Sequence, residues 1–162
     1  MSQYNVVDRG SVVVIDKAFN IEDAALFGCA VMTGVGAVIN TARIRPGDSV
    51  AIIGLGGVGL NGIIGSKLAG AETIIAIDID PSKFSRAEEL GATHCFDSRN
   101  NNMVEEIRDL TNGGVDYAID LAGVIQAMDT AYQIIRYGGS VVTAGLSPVS
   151  YTHLRAHETQ QH

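Results

Sequence analysis

Ser49-Val50-Ala51-Ile52-Ile53-Gly54-Leu55-Gly56-Gly57-Val58-Gly59, continued through Thr73-Ile74-Ile75-Ala76-Ile77 to Asp78, is the stretch that decides the fold. Ser49 to Ile53 reads as a short, buried parallel strand introduced by the turn signal Pro46-Gly47. Gly54 allows the tight turn out of it, and Gly56, without a Cβ, lets a pyrophosphate approach the backbone. Gly59 lets the next helix pack close to the sheet. That helix, from about Val58 to Ala69, aims free N–H groups and the positive end of its dipole at the phosphates. Thr73 to Ile77 is a second strand, and Asp78 stands at its end, about twenty residues beyond the glycines, where an acid bonds ribose hydroxyls.

Glycines at this spacing also occur in flexible loops, so the flanking elements carry the reading: a strand before, a helix after and a terminal acid all agree on a dinucleotide fold. A P-loop needs Gly-Lys-Ser/Thr at the close of the glycine run, and Lys67 comes too far downstream. A methyltransferase shares the strand–glycine–helix logic but matches this glycine pattern less closely, and Asp78 alone does not separate the two.

Strand–helix alternation continues outward. Helices are expected at Pro81 to Leu90, Met103 to Leu110 and Ile125 to Ile135, the last closed by Gly138-Gly139. Strands are expected at Thr93 to Phe96, Tyr117 to Ala122 and Ser140 to Ala144, with a polar loop at Ser98 to Asn102. Such alternation implies a parallel sheet wrapped by right-handed crossovers. The first 48 residues break the rhythm. Val6-Val7 and Val12 to Ile15 read as two short strands; Asn20 caps a helix beginning near Ile21, and a second helix covers Thr33 to Thr41.

The chain has 162 residues, 46% of them apolar, and a formal charge of −7. That suits one domain with a buried core. Eleven basic residues scattered among eighteen acids argue against a nucleic-acid or anionic-membrane surface. No apolar stretch is read as long enough to span a bilayer, and the polar start Met1-Ser2-Gln3-Tyr4-Asn5 is no signal peptide. With Cys29 and Cys95 alone there is no disulfide framework, and a cytoplasmic location is expected.

Gly28-Cys29-Ala30-Val31-Met32-Thr33-Gly34, the glycine fingerprint, Asp78, Lys83 and Gly91-Ala92-Thr93 together resemble the zinc-dependent alcohol dehydrogenases of the medium-chain dehydrogenase/reductase family. The resemblance covers roughly residues 3–147 and implies an α/β, Rossmann-type doubly wound parallel sheet with five of six strands present. It divides the chain into residues 1–20, a remnant of an upstream GroES-like catalytic domain, and residues 21–147, the NAD-binding domain. The activity implied is hydride transfer between a small-molecule alcohol or aldehyde and NAD, with zinc as Lewis acid on the substrate oxygen.

By the same resemblance Cys29 is a ligand to the catalytic zinc, the one ligand this chain supplies, in a site of Cys₂His type. Its other reading is a small buried hydrophobe. Thr33 lines the nicotinamide and substrate pocket, or simply caps the next helix. Gly54, Gly56, Gly57, Val58 and Gly59 hold the cofactor, Val58 packing behind the nicotinamide or merely in the core. Lys83 reaches the adenosine ribose, or is an ordinary exposed cation. Leu121, Ala122, Ala144 and Leu146 lie beside the nicotinamide end. Cys95 and His94 match nothing chemical and are read as structural. Asp120 is near the crevice without a partner that would make it catalytic. The remaining zinc ligands and the proton relay are expected upstream, and the cluster of closely spaced cysteines that holds a structural zinc in many relatives is absent from this sequence. The chain alone is therefore expected to be inactive, and the full-length protein to be a homo-oligomer. NAD is expected over NADP, because Asp78 repels a 2′-phosphate and Ile79-Asp80-Pro81 offers no arginine. Two rivals remain: a zinc-free NADPH quinone or enoyl reductase of the same family, and a non-enzymatic Rossmann module that senses redox state.

Val149-Ser150-Tyr151-Thr152-His153-Leu154-Arg155-Ala156-His157-Glu158-Thr159 reads as the in-frame translation of a transposon-library sequencing adapter, making 148–162 a non-native tail. The competing view is a helix whose His153 and His157, four apart, bind metal. Deleting residues 149–162 is expected to shift stability by less than about 0.5 kcal/mol in a thermal melt, as for changes remote from packed features.

Overall fold

The computed structural model describes residues 5–145; the expected tail and Leu146 lie outside them. Five parallel strands form one sheet: β1 (Ser49–Ile53), β2 (Thr73–Asp78), β3 (His94–Asp97), β4 (Val115–Asp120) and β5 (Ile135–Thr143), in the order β3-β2-β1-β4-β5. The chain winds from β1 outward to β3, then returns to the other side of β1 for β4 and β5. This is a Rossmann-like arrangement.

The alternate residues of β1 and β2 explain the burial of both faces. Val50, Ile52, Ile74 and Ala76 face one core with Ala37, Val38, Ile63 and Ala87. Ala51, Ile53, Ile75 and Ile77 face another with Met103, Ile107, Ala127, Ala131 and Ile134. Period-2 alternation with both faces covered is what continuous apolar strands in parallel sheets require. The first face is covered by α1 (Ile21–Ala42), α2 (Gly57–Ala69) and α3 (Phe84–Leu90). The second is covered by α4 (Met103–Leu110) and α5 (Ile125–Ile134).

The strands and helices from Ser49 to Leu110 fall within about two residues of expectation, and three regions beyond that core depart from it. Val6-Val7 and Val12 to Ile15 form no strands; Val13 and Val14 are 87% and 96% exposed, around a single 3-10 turn at Arg9–Ser11. β-Branched residues favour extended backbone, but a strand needs a ladder partner, and none is present among the described residues. The two expected N-terminal helices are one. Asn20 caps it, accepting from the Glu22 N–H at 3.0 Å, and π-helical turns at Phe27–Val31 and Ala37–Ala42 carry it past Gly28 and Gly36 to Arg43, which closes it with φ 56°. Continuous over 22 residues with mean hydropathy 1.6, α1 is long and apolar enough to cross a membrane by length and composition, which corrects the sequence reading. Its Gly34, Ala37 and Val38 are nevertheless buried within this fold.

Lastly, Gly138-Gly139 do not separate helix from strand. α5 passes directly into β5 at Ile135, and the glycines lie within the strand. Val115 pairs with Ile135 but Tyr117 with Ser140, so the extra residues of β5 bulge outward, with Gly138 at φ 74°. β-Bulges recruit glycine for this backbone geometry.

α1 crosses α2 at close range. A Cβ on Gly34 would overlap the Val58 carbonyl oxygen and come within 2.8 Å of the Asn61 Cβ. Gly34→Ala is expected to cost about 1–3 kcal/mol by overpacking, read as a lowered midpoint in urea with an unchanged slope.

Candidate functional site

A cavity of about 670 Å³ opens at the carboxyl ends of β1, β2 and β4. β1 has neighbours reached by opposite windings, so this is the place where the crossover direction reverses and a crevice forms. Its lining includes Gly54, Leu55 and Gly56 from the turn after β1, Asp78, Ile79 and Lys83 after β2, and Leu121 and Ala122 after β4.

The turn is built by glycine geometry at two points. Gly54 has φ 93°, a conformation L residues rarely adopt, and a Cβ there would approach Ala122 to 2.8 Å. Gly59, one turn into α2, is buried; a Cβ on it would overlap the Gly54 carbonyl oxygen. Gly56, at the N-cap of α2, has open space where its Cβ would be. The helix start therefore faces a free volume, and the first-turn N–H groups of a helix are suited to anionic oxygens.

Asp78 ties the two sides of the cavity together. Its carboxylate accepts from the Leu55 N–H at 2.6 Å and the Asp80 N–H at 2.9 Å, and both oxygens lie 3.1 Å from the Lys83 ammonium. Burial pushes this carboxyl upward, but the hydrogen bonds from Leu55, Asp80 and Lys83 outweigh it and hold the group below the ordinary carboxylate range. Asp78 is thus ionised at neutral pH with its acceptor face at the cavity wall. Only 7% of the residue is exposed. Lys83, reached through the 3-10 turn Pro81–Lys83 capped by Asp80, stands against Asp78 rather than free in solvent.

Asp120 has a structural task on the far side. It is fully buried, and its carboxylate accepts from the Ala122 and Gly123 N–H groups at 2.9 and 3.2 Å and from the Thr143 hydroxyl at 3.1 Å. Its own carbonyl accepts from the Ala144 N–H at 3.0 Å. It fixes the turn carrying Ala122 against the end of β5, so Ala144 stands beside the crevice without lining it.

Gly57, Val58 and Gly59 form the first turn of α2 behind the cavity. Thr33, half-buried, and Cys29, exposed, are on α1. Exposure removes the reading of Cys29 as a buried hydrophobe. Its neighbour Ala30 approaches the start of α2, within 3.7 Å of where a Cβ on Gly57 would lie. Among the described residues no three His, Cys, Asp or Glu side chains gather as a metal site, so Cys29 by itself does not make a zinc centre. Cys95 is half-buried, its thiol pushed up to about 11 by burial and by nearby Glu88, in keeping with an inert structural role.

Sequence reasoning missed Ser98, Arg99, Val124, Gln126 and Thr130, which also line the cavity. Arg99 matters most. The arginine not found beside Ile79-Asp80-Pro81 arrives instead from the loop after β3, because the Ser98 N–H bonds the Asp78 carbonyl at 3.0 Å. Only the pairing of β2 with β3 brings it there.

The sequence profile of the family described as zinc-binding dehydrogenase matches residues 57–159. The chain belongs to this family. The match runs on into the segment read above as a non-native tail. Alcohol dehydrogenase class-2 isozyme 2 of Oryctolagus cuniculus is 44% identical over 149 residues, covering 90% of this chain and 39% of the relative. Among solved structures, benzyl alcohol dehydrogenase from Acinetobacter calcoaceticus superposes with a TM-score of 0.82 at 33% identity, over 88% of this chain and 39% of that one. An alcohol dehydrogenase zinc-binding domain protein from Burkholderia ambifaria gives 0.80 at 38% identity, over 87% and 38%. The chain thus spans about two fifths of the length of these zinc-binding dehydrogenase relatives, and its fold and family are those of medium-chain alcohol dehydrogenases.

Proposed function

We infer that this chain is the NAD-binding portion of a zinc- and NAD-dependent alcohol dehydrogenase. The observation that carries the reading is the ionised Asp78 carboxylate on the wall of the cavity that the Gly54–Gly56 turn opens. Asp78 accepts hydrogen bonds from the two adenosine ribose hydroxyls, and Lys83 stands beside it to donate to the same sugar. Gly56 leaves room for the pyrophosphate at the head of α2. Ile79, on the cavity wall beside Asp78, gives the adenine an apolar surface. Leu121, Ala122 and Ala144 flank the nicotinamide end, with Val58 behind it and Thr33 beside the substrate. The nicotinamide supplies a hydride acceptor when bound.

Residues 1–20 belong to the end of an upstream GroES-like domain and residues 21–147 form the cofactor domain. Cys29 contributes one thiolate to a zinc site completed by residues from elsewhere in the full-length protein, since the described residues do not make such a site together. The full-length protein is read as a cytoplasmic homo-oligomer acting on small alcohols or aldehydes.

The expected behaviour of the 162-residue chain follows. It binds NADH, and it shows no NADH absorbance above background when mixed with zinc, NAD and a panel of primary and secondary alcohols. NADPH binds more weakly than NADH, because a 2′-phosphate meets the Asp78 charge. Zinc-dependent turnover lost on Cys29→Ala, or NADPH binding as tight as NADH, would contradict the reading.

A further inference from the structure

Arg99 presents a puzzle for a site that prefers an unphosphorylated ribose. A guanidinium at the cavity wall, one residue past the backbone bond to Asp78, is the fork that suits a phosphate. It is engaged elsewhere. Arg99 Nε donates to both oxygens of Asp97 at 2.9 and 3.2 Å, Nη2 donates to Oδ2 at 2.6 Å, and the Arg99 backbone N–H adds a fourth bond at 2.9 Å. Asp97 is the register partner of Asp78 on the neighbouring strand, so the two acids stand side by side at the end of the sheet. Each holds one cation of the cavity wall: Asp78 holds Lys83 and Asp97 holds Arg99.

We propose that Asp97 is a second determinant of cofactor choice in this site: by holding Arg99 in a bidentate pair it withholds from a 2′-phosphate the one guanidinium that lines the cavity among the described residues. The proposal rests on the cofactor reading given above. It assigns the preference for NAD to two acids with different tasks. Asp78 repels the phosphate directly, while Asp97 occupies the group that would otherwise attract it. The pair is exposed enough to exchange partners, with side-chain exposures of 60% for Arg99 and 30% for Asp97, so releasing the arginine disturbs no core contact. The Asp97 carboxyl, drawn down to about 2 by Arg99, remains charged throughout the range in which the cofactors are used.

The test is a titration of NADH and NADPH into the full chain, followed by fluorescence, for the unsubstituted protein, Asp97→Asn, Asp97→Ser, Arg99→Ala and the double variant Asp97→Asn/Arg99→Ala. Asp97→Asn and Asp97→Ser are each expected to tighten NADPH about tenfold relative to NADH, the size of one charge-assisted hydrogen bond, with the gain shrinking in high salt. The double variant should lose that gain. Arg99→Ala alone should leave the NADPH-to-NADH ratio unchanged, because its guanidinium is already occupied. An unchanged ratio in both Asp97 variants overturns the proposal, as does a gain that survives in the double variant. So does loss of NADPH affinity in Arg99→Ala alone, which would mean the arginine already serves the phosphate. If the unsubstituted chain binds neither cofactor, the reading of the site itself fails, and this inference with it.

Discussion

Asp78→Ala is expected to weaken NADH binding by about a hundredfold, since it removes two hydrogen bonds from an ionised acceptor to the ribose. It should also destabilise the fold by about 1–3 kcal/mol. Leu55 is 2% exposed, and its N–H loses the acceptor at 2.6 Å that fixes the glycine turn, leaving a donor without a partner away from water. Asp78→Asn should fall between, keeping an acceptor oxygen but losing the charge that pairs Lys83. A pH titration separates the two roles. The carboxyl lies below its ordinary value in the folded protein, so its stabilisation is fully present above roughly pH 4, the unfolded value. That stabilisation is lost only as pH falls through the depressed folded value. The difference in stability between the unsubstituted protein and Asp78→Asn should therefore stay constant between about pH 5 and 8 and shrink on further acidification. A difference that vanishes near neutrality would contradict the ionised, hydrogen-bonded carboxylate.

Gly59→Ala is the second large effect. A methyl group there meets the Gly54 carbonyl oxygen, which is backbone and is held by the turn itself; the Gly54 N–H is bonded to the Ile77 carbonyl at 2.8 Å. Neither partner can rotate away, so α2 must shift from the sheet or the turn must open. Overpacking of this kind costs about 1–3 kcal/mol and sometimes more. Because the same atoms shape the mouth of the cavity, NADH affinity should fall with stability, as read by a urea melt and a cofactor titration on the same sample. Gly56→Ala provides the contrast. Its Cβ would enter open space, so stability should hardly change while binding falls, because the methyl occupies the volume assigned to the pyrophosphate. Equal loss of stability in both variants would show that the glycines serve only packing.

The centre of the fold was legible because its signals are local. Ser49–Ile53 and Thr73–Asp78 are continuous apolar runs, the first closed by Gly54 and the second by an acid, and both cores of the sheet are built on them. The glycine turn, Asp78, Lys83, Leu121 and Ala122 line one cavity; all but Lys83 stand at or next to strand ends, while Lys83 was singled out by the family resemblance. What failed depended on partners or on backbone geometry that residue types do not reveal. Val12 to Ile15 has the composition of a strand, but no ladder forms on it among the described residues. Gly138-Gly139 has the composition of a turn, but the chain uses it for a bulge inside β5. Two helices were expected between Ile21 and Thr41, yet the π turn Phe27–Val31 carries one continuous helix through the gap between them. Arg99 was hidden for a different reason. It lies in a polar loop whose position follows only from β3 lying beside β2, a contact between segments about twenty residues apart in sequence.

The central claim is that this cavity holds the adenosine half and the pyrophosphate of NAD, and a crystal structure of the chain grown with NADH tests it most directly. The account predicts the ribose hydroxyls within hydrogen-bonding distance of Asp78, the adenine against Ile79, and the pyrophosphate over Gly56 at the start of α2. A cofactor bound elsewhere on the molecule, or a ribose that leaves Asp78 untouched, would contradict it.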